Sequence, residues 1–338
     1  MKEINLTPGS RKFGWGIFCA VAFVGCAGDT GTRGPTGAEG PAGPVVATAI
    51  DRVDLQSATF FPESVAAAKD GTLFIGSLGG QGIVKVPVTS RVAESFVLAG
   101  SVKNIAGLLV DDAAGLLYAC ETDLAAKPFT TGLLSFDLAT AQPRHTYAMP
   151  EAGVCNDLTF DGSGNLFVTD SFGKIYELRQ GAQALELWSD DPLLAPSQAS
   201  GFGADGIAFD GKSNLFVNAV SDNRLLRIAI DKDGKAGAVT EIAVTPALDL
   251  PDGMRLIDDH TLLVVEGAGR LTQVAIDGDA GTATTLVNHL DGPSSVVTVA
   301  DQHWITEGQV GIFFGLVQGP PSLPFSARRF QAEAPIAK

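Results

Sequence analysis

The chain is short of positive charge. Its 23 Lys and Arg face 38 Asp and Glu, a formal net charge of −15 over 338 residues, and no basic cluster is present. Neutralising phosphates requires such clusters, so nucleic acid is excluded as a partner and the acidity is read as solubility. Histidine and cysteine are scarce, at four each, and neither falls in a CxxC or Cys/His metal-ligand spacing, which argues against zinc. No Gly-x-Ser-x-Gly elbow occurs, so a serine nucleophile of that type is not expected. Long helical periodicity is also absent. What remains is an apolar fraction of 45%, ample for a core, and 40 glycines, which fit a fold of many tight turns.

The N-terminal residues read as a targeting signal. Lys2, Arg11 and Lys12 precede residues 13–25, nearly all apolar or small and too few to cross a bilayer comfortably. The stretch ends in Phe23-Val24-Gly25-Cys26, which resembles a bacterial lipobox with Phe23 in place of the usual Leu. That resemblance implies residues 1–26 as a lipoprotein-type signal, a lipid anchor at Cys26 and a cell-envelope location. Ala27 in place of Asp favours the outer membrane. A plain secretory signal, giving a secreted or periplasmic protein, is the alternative. Residues 27–44 then place glycine at every third position from Gly28 to Gly43, with Pro35, Pro41 and Pro44 interleaved. This is the steric pattern of collagen. Six triplets without flanking trimerisation elements predict an extended spacer rather than a triple helix.

From there the chain repeats one pattern six times, at intervals of 42 to 50 residues. Each copy has a short polar element, a β-rich run, a Gly/Asp turn and a second β-rich run. The third copy is the cleanest: Cys155-Asn156-Asp157-Leu158-Thr159-Phe160, then Asp161-Gly162-Ser163-Gly164-Asn165, then Leu166-Phe167-Val168. Apolar runs of four to six residues bounded by Gly, Asp and Asn are strands. Units of this length with about four strands each are propeller blades. A lone blade cannot bury both faces, whereas six around an axis can. The expected fold is therefore all-β, a six-bladed β-propeller over residues 45–320, with residues 321–338 as a C-terminal tail. Strand material from 45–50 or 52–60 is expected to complete the last blade and remove its exposed edge.

One column of the repeat is chemically odd. It reads Glu63, Ala106, Asn156, Asp205, Asp252 and Ser294. The innermost strand of a blade lines the channel, so equivalent positions converge on the axis. Three carboxylates and an amide meeting there would repel one another without a cation. Hard oxygen donors favour Ca2+, with Mg2+ or Mn2+ as alternatives. Against this, Asp-Gly and Asn-Asp are also ordinary turn pairs; the shared register favours a site.

These residues resemble the gluconolactonase, regucalcin and senescence marker protein family, six-bladed propellers with a divalent metal in the channel. The resemblance covers most of residues 60–315. Pro62-Glu63-Ser64 is similar to the family's first-blade metal Glu segment. Asn156-Asp157 is similar to an Asn-Asp-Gly segment of the substrate pocket. Pro251-Asp252-Gly253-Met254 matches the family's Pro-Asp-Gly-Met, whose Asp is a metal ligand and proposed base. Asp205 stands where the family usually has a metal-binding Asn. The resemblance implies a metal held by Glu63, Asp205 and Asp252, with Asp252 activating water. It further implies that Asn156 orients the substrate and that lactones or related esters are hydrolysed. The alternative is a non-catalytic surface propeller that binds a protein, peptide or glycan; Ala106 and Ser294, which leave part of the rim plain, favour it. A propeller lyase or synthase shares the fold but has no distinctive residue here. A monomer is expected.

Other residues read as structural. His260, His303, Trp188 and Trp304 are expected in structural roles, and His289 could approach the rim. Glu121, Asp170, Glu266 and Glu307 end second strands and are expected at the solvated surface. Cys120 and Cys155 are either a disulfide or two buried thiols. The loops 122–131 and 187–202 are expected to lie over the rim and select the substrate.

Overall fold

The computed structural model describes residues 52–198 and 201–331. The signal segment, Cys26, the spacer and residues 45–51 lie outside them. The described strands form four sheets of four strands and one of eight. The eight-stranded sheet is two blades joined at their outer edges, so the fold is the expected six-bladed β-propeller. The inner strands, in blade order, are Pro62–Ala67, Asn104–Asp111, Cys155–Phe160, Ala204–Phe209, Pro251–Asp258 and Pro293–Val299. The second strands are Leu73–Ser77, Leu116–Asp123, Leu166–Asp170, Asn214–Ala219, Thr261–Glu266 and Gln302–Glu307.

Second strands such as Leu73–Ser77 and Leu166–Asp170 are buried along their whole length, because both sheet faces are covered by neighbouring blades. The core accordingly lies in layers between blades. One layer packs Ala66, Phe74 and Ile83 of blade one on Ile105, Leu108 and Leu117 of blade two. Another packs Ala208 and Phe216 of blade four on Met254 and Leu262 of blade five. Trp304 is fully buried in the layer that joins the last blade to the first.

Ring closure follows one of the two expected routes. Arg52–Leu55 is the outermost strand of blade six and pairs antiparallel with Phe325–Gln331, with Val53 opposite Ala327 and Leu55 opposite Phe325. The strand Phe325–Gln331 lies in the stretch expected to be a tail. It is the third strand of blade six, so the propeller extends to residue 331. A long connection, residues 308–324, separates it from the second strand and obscured the repeat. One further contact was not expected from the repeat: the outer strands of blades four and five pair in parallel, Ala243 to Thr245 against Ala280 to Thr282. This covers part of both outer edges.

Cys120, on the second strand of blade two, is disulfide-bonded to Cys155, at the start of the inner strand of blade three. The bond crosses between blades and closes a loop with a sequence separation of 35 residues. Chain-entropy arguments place the stabilisation from such a loop at about 4 kcal/mol. The double substitution Cys120→Ala/Cys155→Ala is expected to lower the urea midpoint by an amount equivalent to roughly 2–4 kcal/mol. An unchanged midpoint would show that the interblade packing suffices without the bond.

Candidate functional site

Every inner strand shifts register by a bulge near its start, between Pro62 and Val65, Ile105 and Leu108, Cys155 and Leu158, Ala204 and Ile207, Pro251 and Met254, and Pro293 and Ser295. The odd column of the repeat is the first residue inside each bulge. A bulge places two residues opposite one and re-aims the side chains there. All six column residues come together at the channel mouth: Glu63, Asn156, Asp205 and Asp252 border the same small cavity as Ser294, and Ala106 lines the larger cavity above. The Asp-Gly pairs are therefore strand bulges and not turns. Gly206 and Gly253 are required by space. A Cβ on Gly206 would lie 2.6 Å from Asp252 O, and one on Gly253 2.7 Å from Ser294 O, both on the next inner strand.

The bulges release backbone groups that need partners. In three blades the carbonyl of the column residue is held by a polar side chain from the second strand of the preceding blade. Thr306 Oγ1 donates to Glu63 O at 3.3 Å and Thr169 Oγ1 to Asp205 O at 2.6 Å, and Asn218 Nδ2 donates to Asp252 O. These are the three carboxylate positions. The equivalent second-strand residues in the other blades are Gly76, Cys120 and Val265, none with a side-chain donor of that kind. The sequence carries this signal in the residue before the second-strand end, but it is visible only once the ring order is known.

The next residue along the second strand is Glu121, Asp170, Glu266 or Glu307 in four blades, the last three at the strand end. The last three are buried, against expectation. Each carboxylate accepts the amide of a residue just ahead of its own inner strand. Lys103 N donates to Glu121 at 2.7 Å, Val154 N to Asp170 at 2.8 Å, Asp249 N to Glu266 at 2.6 Å and Asp291 N to Glu307 at 3.1 Å. Glu266 and Glu307 are also paired with Arg270 and Arg328. They fix the approach to the rim.

Within the ring, Asn156 Nδ2 donates to Ser171 Oγ at 2.8 Å and to Asp205 Oδ2 at 3.0 Å. The Asp205 and Asp252 carboxyls lie within bonding reach of each other, yet Asp205 Oδ1 is buried without a donor. Two facing carboxylates can bond only through a proton or a cation between them. Burial, with the Asp157 charge adding to it, pushes Asp205 up to about 7. Burial and the charges of Asp205 and Glu63 hold Asp252 well above the ordinary carboxyl range. Burial, then Asp205 and Asp157, does the same to Glu63, while Arg255 acts against it.

The pair Asp157 and Arg255 was not anticipated from the sequence. Arg255 Nη1 and Nη2 bond Asp157 Oδ2 and Oδ1 at 2.6 and 3.2 Å, across the channel from blade five to blade three. Asp157 also accepts from Ile207 N at 3.3 Å. Separated by 98 residues, the two carry no local motif. Of the remaining expectations, His289 is exposed and does not line the cavity, and His303 is buried against Thr298. Among the described residues of the loops expected over the rim, only Phe202 lines the cavity. Most of its roof comes from the insertion 308–324, with the helix Val310–Phe313 at its centre.

Among the described residues no group of three or more His, Cys, Asp or Glu forms a ready-made ion site. The donor set nevertheless fits a hard cation: three crowded carboxyls, an orphaned carboxylate oxygen and no nitrogen or sulfur ligand. No described helix is long and apolar enough to cross a membrane.

Two outcomes follow from these charges. Because the folded-state values of Glu63, Asp205 and Asp252 are raised, the metal-free fold takes up protons. The stability associated with Asp205 is present below about pH 4 and is lost as the pH rises through about 7, and Glu63 and Asp252, also raised, act in the same direction. In chelator, the melting temperature should fall between pH 5 and 8; a flat or rising profile would contradict this electrostatic account. Arg255→Met should cost about 3 kcal/mol by leaving Asp157 buried and unpaired, and Asp157→Asn in the same chain should recover most of it, read by urea denaturation.

No known family profile matches the sequence, and no curated protein is similar to it at a significant level. The fold is similar to many solved structures. A gluconolactonase from Xanthomonas campestris superposes with a TM-score of 0.59 at 17% identity, over 81% of this chain and 86% of that one. A luciferin-regenerating enzyme gives 0.58 at 14%, over 80% and 91%. The PQQ-bound aldose sugar dehydrogenase of Streptomyces coelicolor gives 0.55 at 14%, over 82% and 97%. Gluconolactonase-like propellers are thus among the structural neighbours of this chain, and at such identities the likeness establishes the shared fold, one that serves hydrolytic and oxidoreductive enzymes alike.

Proposed function

We propose that the chain is a metal-dependent hydrolase of lactones or related esters, exported and held at the bacterial cell envelope. The observation that carries this reading is the fixed ring of Glu63, Asp205 and Asp252, three carboxylates on three blades with their backbone carbonyls individually braced. These residues would hold a divalent cation, most naturally Ca2+, with Mg2+ or Mn2+ also suited to oxygen donors. Such an ion supplies Lewis acidity toward a carbonyl oxygen and makes water easier to deprotonate. Asp252, partly open to the cavity, takes the proton as water attacks. Both Nδ2 protons of Asn156 are committed to Ser171 and Asp205, so Asn156 holds the Asp205 carboxylate in place and offers Oδ1 to the substrate.

The envelope location belongs to the same proposal. It rests on the signal-like residues 1–26, a lipid anchor at Cys26 and the spacer 27–44, all outside the described residues. The Cys120 to Cys155 disulfide fits an oxidising compartment.

Elemental mass spectrometry of the full chain saturated with divalent ions, beside Asp252→Ala, tests the reading. About one equivalent of metal is expected in the parent and none in the variant. Lactone hydrolysis should fall by roughly 100-fold or more in Asp252→Asn. No stoichiometric metal in either protein would sink the hydrolase and leave a binding propeller as the account of the rim.

A further inference from the structure

Above the carboxylate ring lies a cavity of about 290 Å³, close to the small end of ligand sites at about 300–1,000 Å³. Its walls are built from Leu78, Val154, Val220 and Leu250 on the blades, with Phe202 beside them. Its roof is the blade-six insertion, through Val310, Ile312, Phe314, Leu316 and Val317. Blade five makes the same connection with only Gly267, Ala268 and Gly269. The insertion is anchored, not loose. Gln309 exchanges two hydrogen bonds with Ser322, and its own amide donates to Gly292 O at 2.8 Å. Phe313 packs edge-on against Phe61 at 5.2 Å, and Phe314 packs on Phe202 at 5.1 Å between ring centroids.

Polar groups in these walls are few and, apart from the exposed side chain of Asp291, mostly engaged. Gln309 is tied at both ends to Ser322, Ser221 Oγ accepts from Phe202 N, and Ser171 Oγ accepts from Asn156. A polyhydroxylated ring placed here would lose water from several hydroxyls and find few replacements, which is unfavourable. An alkyl or aryl group would bury apolar surface at no such cost. The apolar lining also continues outward: Leu316 and Val317 border the cavity and are 73% and 55% exposed.

We infer that the blade-six insertion makes this a site for lipophilic lactones or esters, with an alkyl or aryl substituent lying under Phe314 and running out past Leu316, and that it discriminates against sugar lactones. The choice of lactone or ester as the reactive group rests on the proposed hydrolase; the choice of an apolar substituent rests on the cavity walls alone.

The test compares two γ-lactones that differ in substituent, γ-decalactone and D-galactono-1,4-lactone, on the full chain with Ca2+. Binding is read by calorimetry and turnover separately by pH-stat. γ-Decalactone should bind at least about tenfold more tightly. Phe314→Ser should weaken that binding about tenfold and Leu316→Ser severalfold, with little change for the sugar lactone. Leu316 is so exposed that its substitution leaves the fold intact, and circular dichroism checks Phe314→Ser. Tight binding of γ-decalactone without turnover would uphold the inference and remove the hydrolase. Equal or tighter binding of the sugar lactone, binding of neither, or indifference of γ-decalactone to both substitutions would overturn the inference, whatever is hydrolysed.

Discussion

Each inner strand gives up one step of its ladder at the channel mouth, and the groups released there must be satisfied from outside the strand. The structure meets this demand from the neighbouring blade: Thr306, Thr169 and Asn218 reach across to the carbonyls of Glu63, Asp205 and Asp252. Each carboxylate is thus positioned by two blades at once. The ring of acids cannot relax by moving one strand without breaking a contact in the next. That is why three groups raised by mutual burial persist together in one place, and why the neutral state of the site requires protons or a cation.

The same logic explains the second layer of charge. Asp157 sits in the bulge of blade three one residue beyond the column, and its charge raises both Glu63 and Asp205. Arg255 answers it from blade five, two blades further round the ring. The carboxylate ring is therefore acidic, while the charge of Asp157, which borders the same small cavity, is balanced by Arg255. A cation attracted to the axis meets its most negative surroundings at the carboxylate ring, where the orphaned oxygen of Asp205 lies.

Much of this was legible in the sequence. Six units with strand-length apolar runs could bury both faces only as a ring, so the propeller followed from period and patterning. Glu63, Asn156, Asp205 and Asp252 were found because their shared register is a one-dimensional signal for convergence on an axis. What was not legible depends on contacts across the ring. The braces Thr169, Asn218 and Thr306 look like ordinary strand residues. The pair Asp157 and Arg255 joins blades with no shared motif. Asp170, Glu266 and Glu307 occupy positions that a lone strand would expose, and are buried because the preceding loop folds over them. The insertion 308–324 breaks the period, so its apolar residues and the strand that follows had no template to be read against.

Closure of the ring has a mechanical corollary. The strand that seals blade six, Arg52–Leu55, is the first described element of the chain, and its partner Phe325–Gln331 is the last. The seam between them is held by four residue pairs and by Arg52 Nη2 donating to Pro324 O at 2.8 Å. Any tension carried by the polypeptide that precedes residue 52 reaches the propeller at this seam before it reaches any other part. Once Arg52–Leu55 peels away, the load passes along the chain to Phe61, whose contact with Phe313 supports the roof, and then to Pro62–Ala67, the inner strand of blade one that carries Glu63.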